Sequence, residues 1–428
     1  MYIHVVSSGE VLWQIANYYN ANINDIIIVN GLQNPNQLLV GQSLLIPTDE
    51  NIYYTVKPGD SAWTIANKYD VPIYELLWSN RIMNPNLLYP GMVLNIPQRP
   101  KPIIEVNAFT YVLGENAVPL VREVGDLLTF LSPFAYVIKE DGGLQGIQDD
   151  PAIRAANLEN VIPVMSVINF TITSKGENLA HIVLNNPQII DNLQVNILNI
   201  MKQKGYRGVN IDFENVLPED REAYNNFLES TVDRFHREGY FVSTSLAPKI
   251  SGEQIGLLYE AHDYEAHGRL ADFVVLMTYE WGYRAGPPQA ISPINEIRRV
   301  LDYAITVIPR NKILMGFQIY ARDWLIPHIP GQEAETISIQ EAMDIAYKHY
   351  VTIEYDSVAE SPYFHYIDEM GRTHEVWFED ARSAQAKFNT VVDYNLRGIS
   401  YWALGYPFPQ NWALLEDSFN ILKRNNIK

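Results

Sequence analysis

The sequence contains no cysteine, which excludes disulfide frameworks, cysteine nucleophiles and thiolate metal sites together. Its nine histidines show no HExxH or similar ligand spacing, so no metal and no other cofactor is expected. No apolar run approaches the roughly 18 residues that a spanning helix needs, and no membrane partner is expected. The opening Met1-Tyr2-Ile3-His4-Val5 is followed by neither a basic nor a long apolar stretch, so no signal peptide is expected. Positive charge is also scarce: 31 Lys and Arg stand against 50 Asp and Glu, a net charge of −19. A chain this acidic is repelled by phosphate, which argues against nucleic acid and for a neutral or weakly charged substrate.

What is present is a folded protein's composition, 47% hydrophobic and 19% charged, over 428 residues. That length implies two or three domains. Residues 1–47 and 51–97 align without a gap. Val6, Gly9, Trp13, Ile15, Ala16, Asn17 and Tyr19 recur as Val56, Gly59, Trp63, Ile65, Ala66, Asn67 and Tyr69. Asn30, Asn34-Pro35-Asn36, Gly41, Leu44, Ile46 and Pro47 recur fifty positions later as well. Two copies of one small module follow, taken as 1–48 and 51–98. In each, a short strand and a Gly turn precede a helix whose face is Leu12, Ile15, Ala16 and Tyr19, at i, i+3, i+4 and i+7. A second helix from about Asn24, an Asn-Pro-Asn turn and a last strand complete a βααβ order. Trp13 and Trp63 are expected in the module cores. Residues 1–97 hold thirteen Asn and few charges, a composition suited to hydrogen bonding with neutral sugars.

Both copies resemble the LysM domain over nearly their whole length, most clearly in Ser8-Gly9-Glu10-Val11-Leu12-Trp13-Gln14-Ile15-Ala16 and Pro58-Gly59-Asp60-Ser61-Ala62-Trp63-Thr64-Ile65-Ala66. The resemblance implies binding of N-acetylglucosamine-containing glycans such as peptidoglycan or chitin. It places the groove at Gly9, Glu10 and Val11 with Asn34–Leu38, and at Gly59, Asp60 and Ser61 with Asn84–Leu88. Two weak modules in tandem would gain by avidity, and the segment Gln98-Arg99-Pro100-Lys101-Pro102 should be a stiff spacer.

From Ile103 on, short apolar runs alternate with amphipathic ones. Candidate strands are Ile104–Tyr111, Phe134–Ile138, Ile162–Ile168, Gly208–Glu214, Phe241–Leu246, Phe273–Thr278, Ile313–Ile319 and Gly398–Leu404. Eight strands alternating with helices over 103–428 fit a (β/α)₈ TIM barrel of the α/β class. The rhythm breaks at about 322–378, where Ser361–Tyr366 and Glu375–Phe378 read as antiparallel strands around a turn at Glu369–Arg372. This is taken as a small α+β insertion between strands seven and eight.

In Gly208-Val209-Asn210-Ile211-Asp212-Phe213-Glu214 alternate side chains share a face. Val209, Ile211 and Phe213 pack outward. Asn210, Asp212 and Glu214 face the barrel interior and climb toward the C-terminal rim, where barrel enzymes keep their chemistry. The segment from Arg207 resembles the glycoside hydrolase family 18 signature Asp-Gly-x-Asp-x-Asp-x-Glu, with Arg207 and Asn210 at the first two acidic positions. Leu276-Met277-Thr278-Tyr279-Glu280 is similar to the family's sixth-strand motif, with Glu280 for Asp. Met315–Tyr320 and Ser400–Gly405 resemble strands seven and eight.

The resemblance implies Glu214, Asp212 and Tyr279 as catalytic residues, and Asn210, Met277, Glu280, Gln318 and Trp402 as substrate-binding ones. Two acids two positions apart on one strand lie on the same side of a bond and cannot flank it. That arrangement suits the substrate-assisted retaining route: Glu214 as acid and then base, the substrate's acetamido oxygen as nucleophile, Asp212 and Tyr279 holding that group. Asn210 cannot share a proton with Asp212, so Asp212 is expected to stay ionised. The combination with two LysM repeats resembles the spore cortex-lytic N-acetylglucosaminidases of spore-forming bacteria. It implies a monomer acting on peptidoglycan or cortex glycan fragments during germination and located in the spore cortex or coat. A chitinase and a non-catalytic glycan-binding protein are the alternatives.

Overall fold

The computed structural model describes residues 1–47, 52–69, 71–97, 101–171 and 174–423. Eight parallel strands close a barrel: β1 (Ile103–Thr110), β2 (Phe130–Pro133), β3 (Ile162–Ile168), β4 (Gly208–Asp212), β5 (Phe241–Leu246), β6 (Phe273–Leu276), β7 (Ile313–Gln318) and β8 (Gly398–Leu404). Each is hydrogen-bonded to the next, and β8 returns to β1 through pairs such as Ser400 with Asn107. Inside, Phe109, Phe130, Val164, Phe273, Val275 and Leu314 form an apolar plug. Outside, Val209, Ile211 and Phe213 pack against the helices as alternation requires.

Seven of the eight strands fall on the expected runs. The second does not. The barrel strand is Phe130–Pro133, and the expected Phe134–Ile138 supplies only Tyr136–Ile138, which pairs with the end of β3 and forms a hairpin with Leu144–Gln145. Two adjacent apolar runs look alike by hydrophobicity, and only the pairing partners separate them.

Between β7 and β8 lies the expected α+β insertion, and it holds more than one hairpin. Ser361–Ile367 and Thr373–Trp377 do pair, with the Asp368 carboxylate accepting from the N–H groups of Met370 and Arg372 in the turn. The sheet has five antiparallel strands, however, adding Ala321–Ile326, Glu335–Ile337 and Glu354–Asp356, with a helix over Ile339–His349. That helix starts at a capping box in which Ser338 and Glu341 satisfy each other's backbone N–H.

Each N-terminal module is βααβ: Tyr2–Val5, Leu12–Tyr19, Ile23–Val29 and Ser43–Ile46, then Ile52–Thr55, Ala62–Lys68, Ile73–Ser79 and Val93–Ile96. Within each, one Asn straps the second helix to the last strand. Asn30 donates to the carbonyls of Ile26 and Leu45 and accepts from the Leu45 N–H, all at 2.7 Å. Asn80 repeats this with Leu76 and Asn95 at the same distances. Trp13 and Trp63, expected in the cores, are instead 63% and 64% exposed. They sit one residue past Leu12 and Ala62 on the helix, about 100° away from the buried stripe.

The first module is fused to the barrel domain. Leu39 and Leu45 belong to the barrel's own core cluster. The Ile353 N–H donates to the Val40 carbonyl at 2.9 Å, and Gln410 donates to Asn30 Oδ1 and the Ser43 carbonyl at 2.7 and 3.0 Å. The second module touches the first through Tyr69 against Tyr2 and through Lys68 over the Tyr18 ring.

Candidate active site

Asn210, Asp212 and Glu214 sit in line at the upper end of β4. Asn210 is buried, donating to Ser243 Oγ at 3.1 Å and accepting from Ser245 Oγ at 3.0 Å. Asp212 is buried as well, and its Oδ1 has no hydrogen-bond partner. Burial pushes its carboxyl well above the usual range, the charge of Glu214 adds to this, and a bond from Ser245 opposes it. Deep burial thus works against the expectation that Asp212 stays ionised. Glu214 is partly exposed. Its carboxyl is pushed up to about 7, first by burial and then by the charge of Glu280.

The other elements bring their residues to the same rim. Tyr279 follows β6 and occupies space that a side chain at 316 would take: a Cβ on Gly316 would lie 2.8 Å from Tyr279 Cε1 and 2.5 Å from the Leu276 carbonyl oxygen. Burial and the charges of Asp212, Glu214 and Glu280 raise the Tyr279 hydroxyl far above its ordinary value, so it is a neutral donor. Met277 is half-buried beside it, its N–H bonded to the Leu246 carbonyl. Trp402, near the end of β8, packs edge-on against Phe109 and Phe134 at 5.8 and 4.7 Å.

A cleft of about 430 Å³ opens beside Trp402, lined in part by Tyr111, Glu280, Tyr320, Arg322 and Tyr406. Glu280 joins this cleft to the acids, because it lines the cleft and its charge bears on both Glu214 and Tyr279. It does not stand free: Arg322 Nη2 donates to it at 2.6 Å, and the Tyr320 hydroxyl bonds it too. Gln318 differs from the rest. It is fully buried, donates to Glu379 Oε1 at 2.7 Å in a pair with Lys387, and does not line the cleft.

Tyr320 and Arg322 were not singled out from the sequence, because that stretch reads as the start of the insertion. The available signal was an arginine just past the end of a barrel strand. Among the described residues, no cluster of three or more His, Asp or Glu is placed to hold a metal ion.

The module candidates are arranged as turns. Glu10 accepts from the Ser7 N–H and Asp60 from the Lys57 N–H, each at 2.7 Å, while Ser61 Oγ caps the helix through the Thr64 N–H. Their side chains are thus partly committed to their own loops. Gly9 and Gly59 have φ of +85° and +92° with open space around them, and Val11 is exposed.

The chain matches the Glycosyl hydrolases family 18 profile over residues 174–406 and the LysM profile over 4–47 and 54–97. It is 49% identical over 429 residues to the cortical fragment-lytic enzyme of Bacillus subtilis (strain 168), covering 99% of both chains. Two crystal structures superpose over 99% of each chain with a TM-score of 0.88: the spore cortex-lytic enzyme SleL of Bacillus megaterium QM B1551 at 39% identity, and that of Bacillus cereus at 40%.

Proposed function

This chain belongs to glycosyl hydrolases family 18, and from that membership we propose that it hydrolyses spore cortex peptidoglycan fragments after N-acetylglucosamine, with retention of configuration. It acts as a monomer, in the spore, during germination. Relatives named for cortex lysis along the whole chain support the substrate. One observation carries the mechanism: Asp212 and Glu214 stand together at one strand end, while the two acids that line the cleft are paired, Glu280 with Arg322 and Tyr320 and Glu333 with Arg284. Asp212 and Glu214 lie on one side of the bond and do not flank it, so the substrate's acetamido oxygen takes the nucleophile's place.

Glu214, with its raised pKa, protonates the leaving oxygen. The acetamido oxygen closes on C1 as the C1–O bond to the protonated leaving group breaks, giving an oxazolinium, while a carboxyl oxygen of Asp212 accepts from the acetamido N–H. Tyr279 donates to the acetamido oxygen. Glu214, now ionised, activates water at C1.

Glu214→Gln is expected to lose at least about 10³-fold in release of reducing ends from cortex fragments while still binding them; sustained turnover would remove Glu214 from this role. A thiazoline analogue of N-acetylglucosamine is expected to inhibit competitively, and indifference to it would rule out the acetamido route. Chito-oligosaccharides turned over faster than cortex fragments would make the enzyme a chitinase. Glu214 must be protonated to begin, so kcat/KM falls as pH rises through about 7. Glu280→Gln removes the negative neighbour and should move that limb to lower pH.

A further inference from the structure

The sheet stops supporting β4 just before the residue that matters most. Pairing with β3 ends at Asp212 opposite Ile168, and pairing with β5 ends at Ile211 opposite Thr244. Phe213 and Glu214 run past both ladders, where backbone polar groups left buried and unpaired would be costly. Two side chains from the neighbouring strands' extensions take these groups. Asn169, the residue after β3, grips Glu214 on both sides: the Glu214 N–H donates to Asn169 Oδ1 at 2.9 Å, and Asn169 Nδ2 donates to the Glu214 carbonyl at 2.7 Å. His262, from the segment after β5, bonds the Phe213 carbonyl through Nε2 at 2.9 Å.

Both clamps are themselves fixed. Asn169 is 1% exposed and also donates to the Gly176 carbonyl. His262 is buried, with Nδ1 accepting from the Ala247 N–H at 2.7 Å. That bond leaves the ring proton on Nε2, pointing at Phe213. Burial, and then the charge of Lys249, hold the imidazole at about 4, so it is neutral where enzymes work. Lys249 Nζ in turn donates to the His262 carbonyl at 3.0 Å. On the other face, the Phe213 ring is stacked on Tyr224 and Phe227 at 5.7 and 5.6 Å.

Among the described residues no hydrogen bond reaches the carboxyl of Glu214 itself. With no such bond to its own oxygens, the carboxyl takes its aim from its backbone. We propose that Asn169 and His262 are positioning residues which, from the two strands beside β4, lock the Phe213–Glu214 backbone and so aim the Glu214 carboxyl at the scissile oxygen. The proposal rests on Glu214 being the acid.

The test is steady-state kinetics on spore cortex glycan fragments. A misplacement of the order of 1 Å costs about 10²-fold in rate, so Asn169→Ala should lower kcat about 10–100-fold with KM within about threefold. Wild-type kcat in that variant, or a loss shared equally by KM, overturns the clamp. His262 supplies a second, independent pair. His262→Gln can still present an N–H near the Nε2 position and should keep most of kcat, whereas His262→Asn is too short to reach Phe213 and should lose it. Equal activity in the two, with equal melting temperatures, overturns the proposal even where Asn169→Ala fails to fold. Failure of the acid assignment reads differently: there Glu214→Gln stays active, while failure of the clamp leaves Glu214→Gln dead and Asn169→Ala intact.

Discussion

The two LysM modules share a sequence pattern and a fold, yet one is a component of the barrel domain and the other projects from it. Equivalent positions show how. Leu39 and Leu45 are 4% and 0% exposed in the barrel's core cluster, while their counterparts Tyr89 and Asn95 are 61% exposed and half-buried. Gly41 lies so close to the barrel domain that a Cβ there would sit 1.9 Å from the Ile353 carbonyl oxygen; around Gly91, with nearly the same φ, a Cβ would meet nothing within 4 Å. Gln37 in the first Asn-Pro-Asn loop donates to the Tyr347 carbonyl at 3.1 Å, whereas Leu87 at the matching place is exposed. Duplication supplies one stable βααβ unit twice, and a handful of surface substitutions then decide which copy docks. Of the two, the second keeps more of its loop surface open to a glycan.

That contrast can be broken in stages. The largest effect is expected from Leu45→Asn, which puts the second module's residue into the first module's docked face. It should cost about 3 kcal/mol in denaturant unfolding, while Asn95→Leu should change stability by less than about 1 kcal/mol. Similar losses at both would erase the distinction. Next is Gly41→Ala, expected to cost about 2–3 kcal/mol through the close approach added to the strain of positive φ, against about 1 kcal/mol for Gly91→Ala. In sedimentation with insoluble cortex, Leu87→Ala with Tyr89→Ala should weaken binding about tenfold, near 1.4 kcal/mol, and Gln37→Ala clearly less. Equal weakening would mean both loops engage glycan alike. The smallest effect should come from Trp13→Ala and Trp63→Ala, each within about 0.5 kcal/mol in melting experiments, because neither ring is part of a core.

Much of the barrel was readable because βα alternation writes itself into hydrophobic rhythm. The alternation of Val209, Ile211 and Phe213 against Asn210, Asp212 and Glu214 assigned faces correctly. Strand two was misplaced because two apolar runs lie side by side, and choosing between them requires the partner strand. The tryptophans of the modules were misjudged by treating size as burial, although the same helical stripe that identified Leu12 and Ile15 excludes Trp13. Gln318 fell on a strand end as expected, yet its amide is spent on Glu379, a residue 61 positions away. Tyr320 and Arg322, which hold Glu280 in the cleft, were hidden at the seam between strand and insertion.

The sequence by itself determined the local order: which residues form strands, which faces they present, that a βααβ unit occurs twice, and that two acids share one strand end. These follow from short-range periodicity and turn chemistry, which the chain carries within a few residues. Only the tertiary structure decided which module docks, which carboxylate stays free and which side chains hold the backbone around Glu214. Those depend on groups far apart in the chain meeting at about 3 Å, and on how much water is excluded where they meet, neither of which any local pattern encodes.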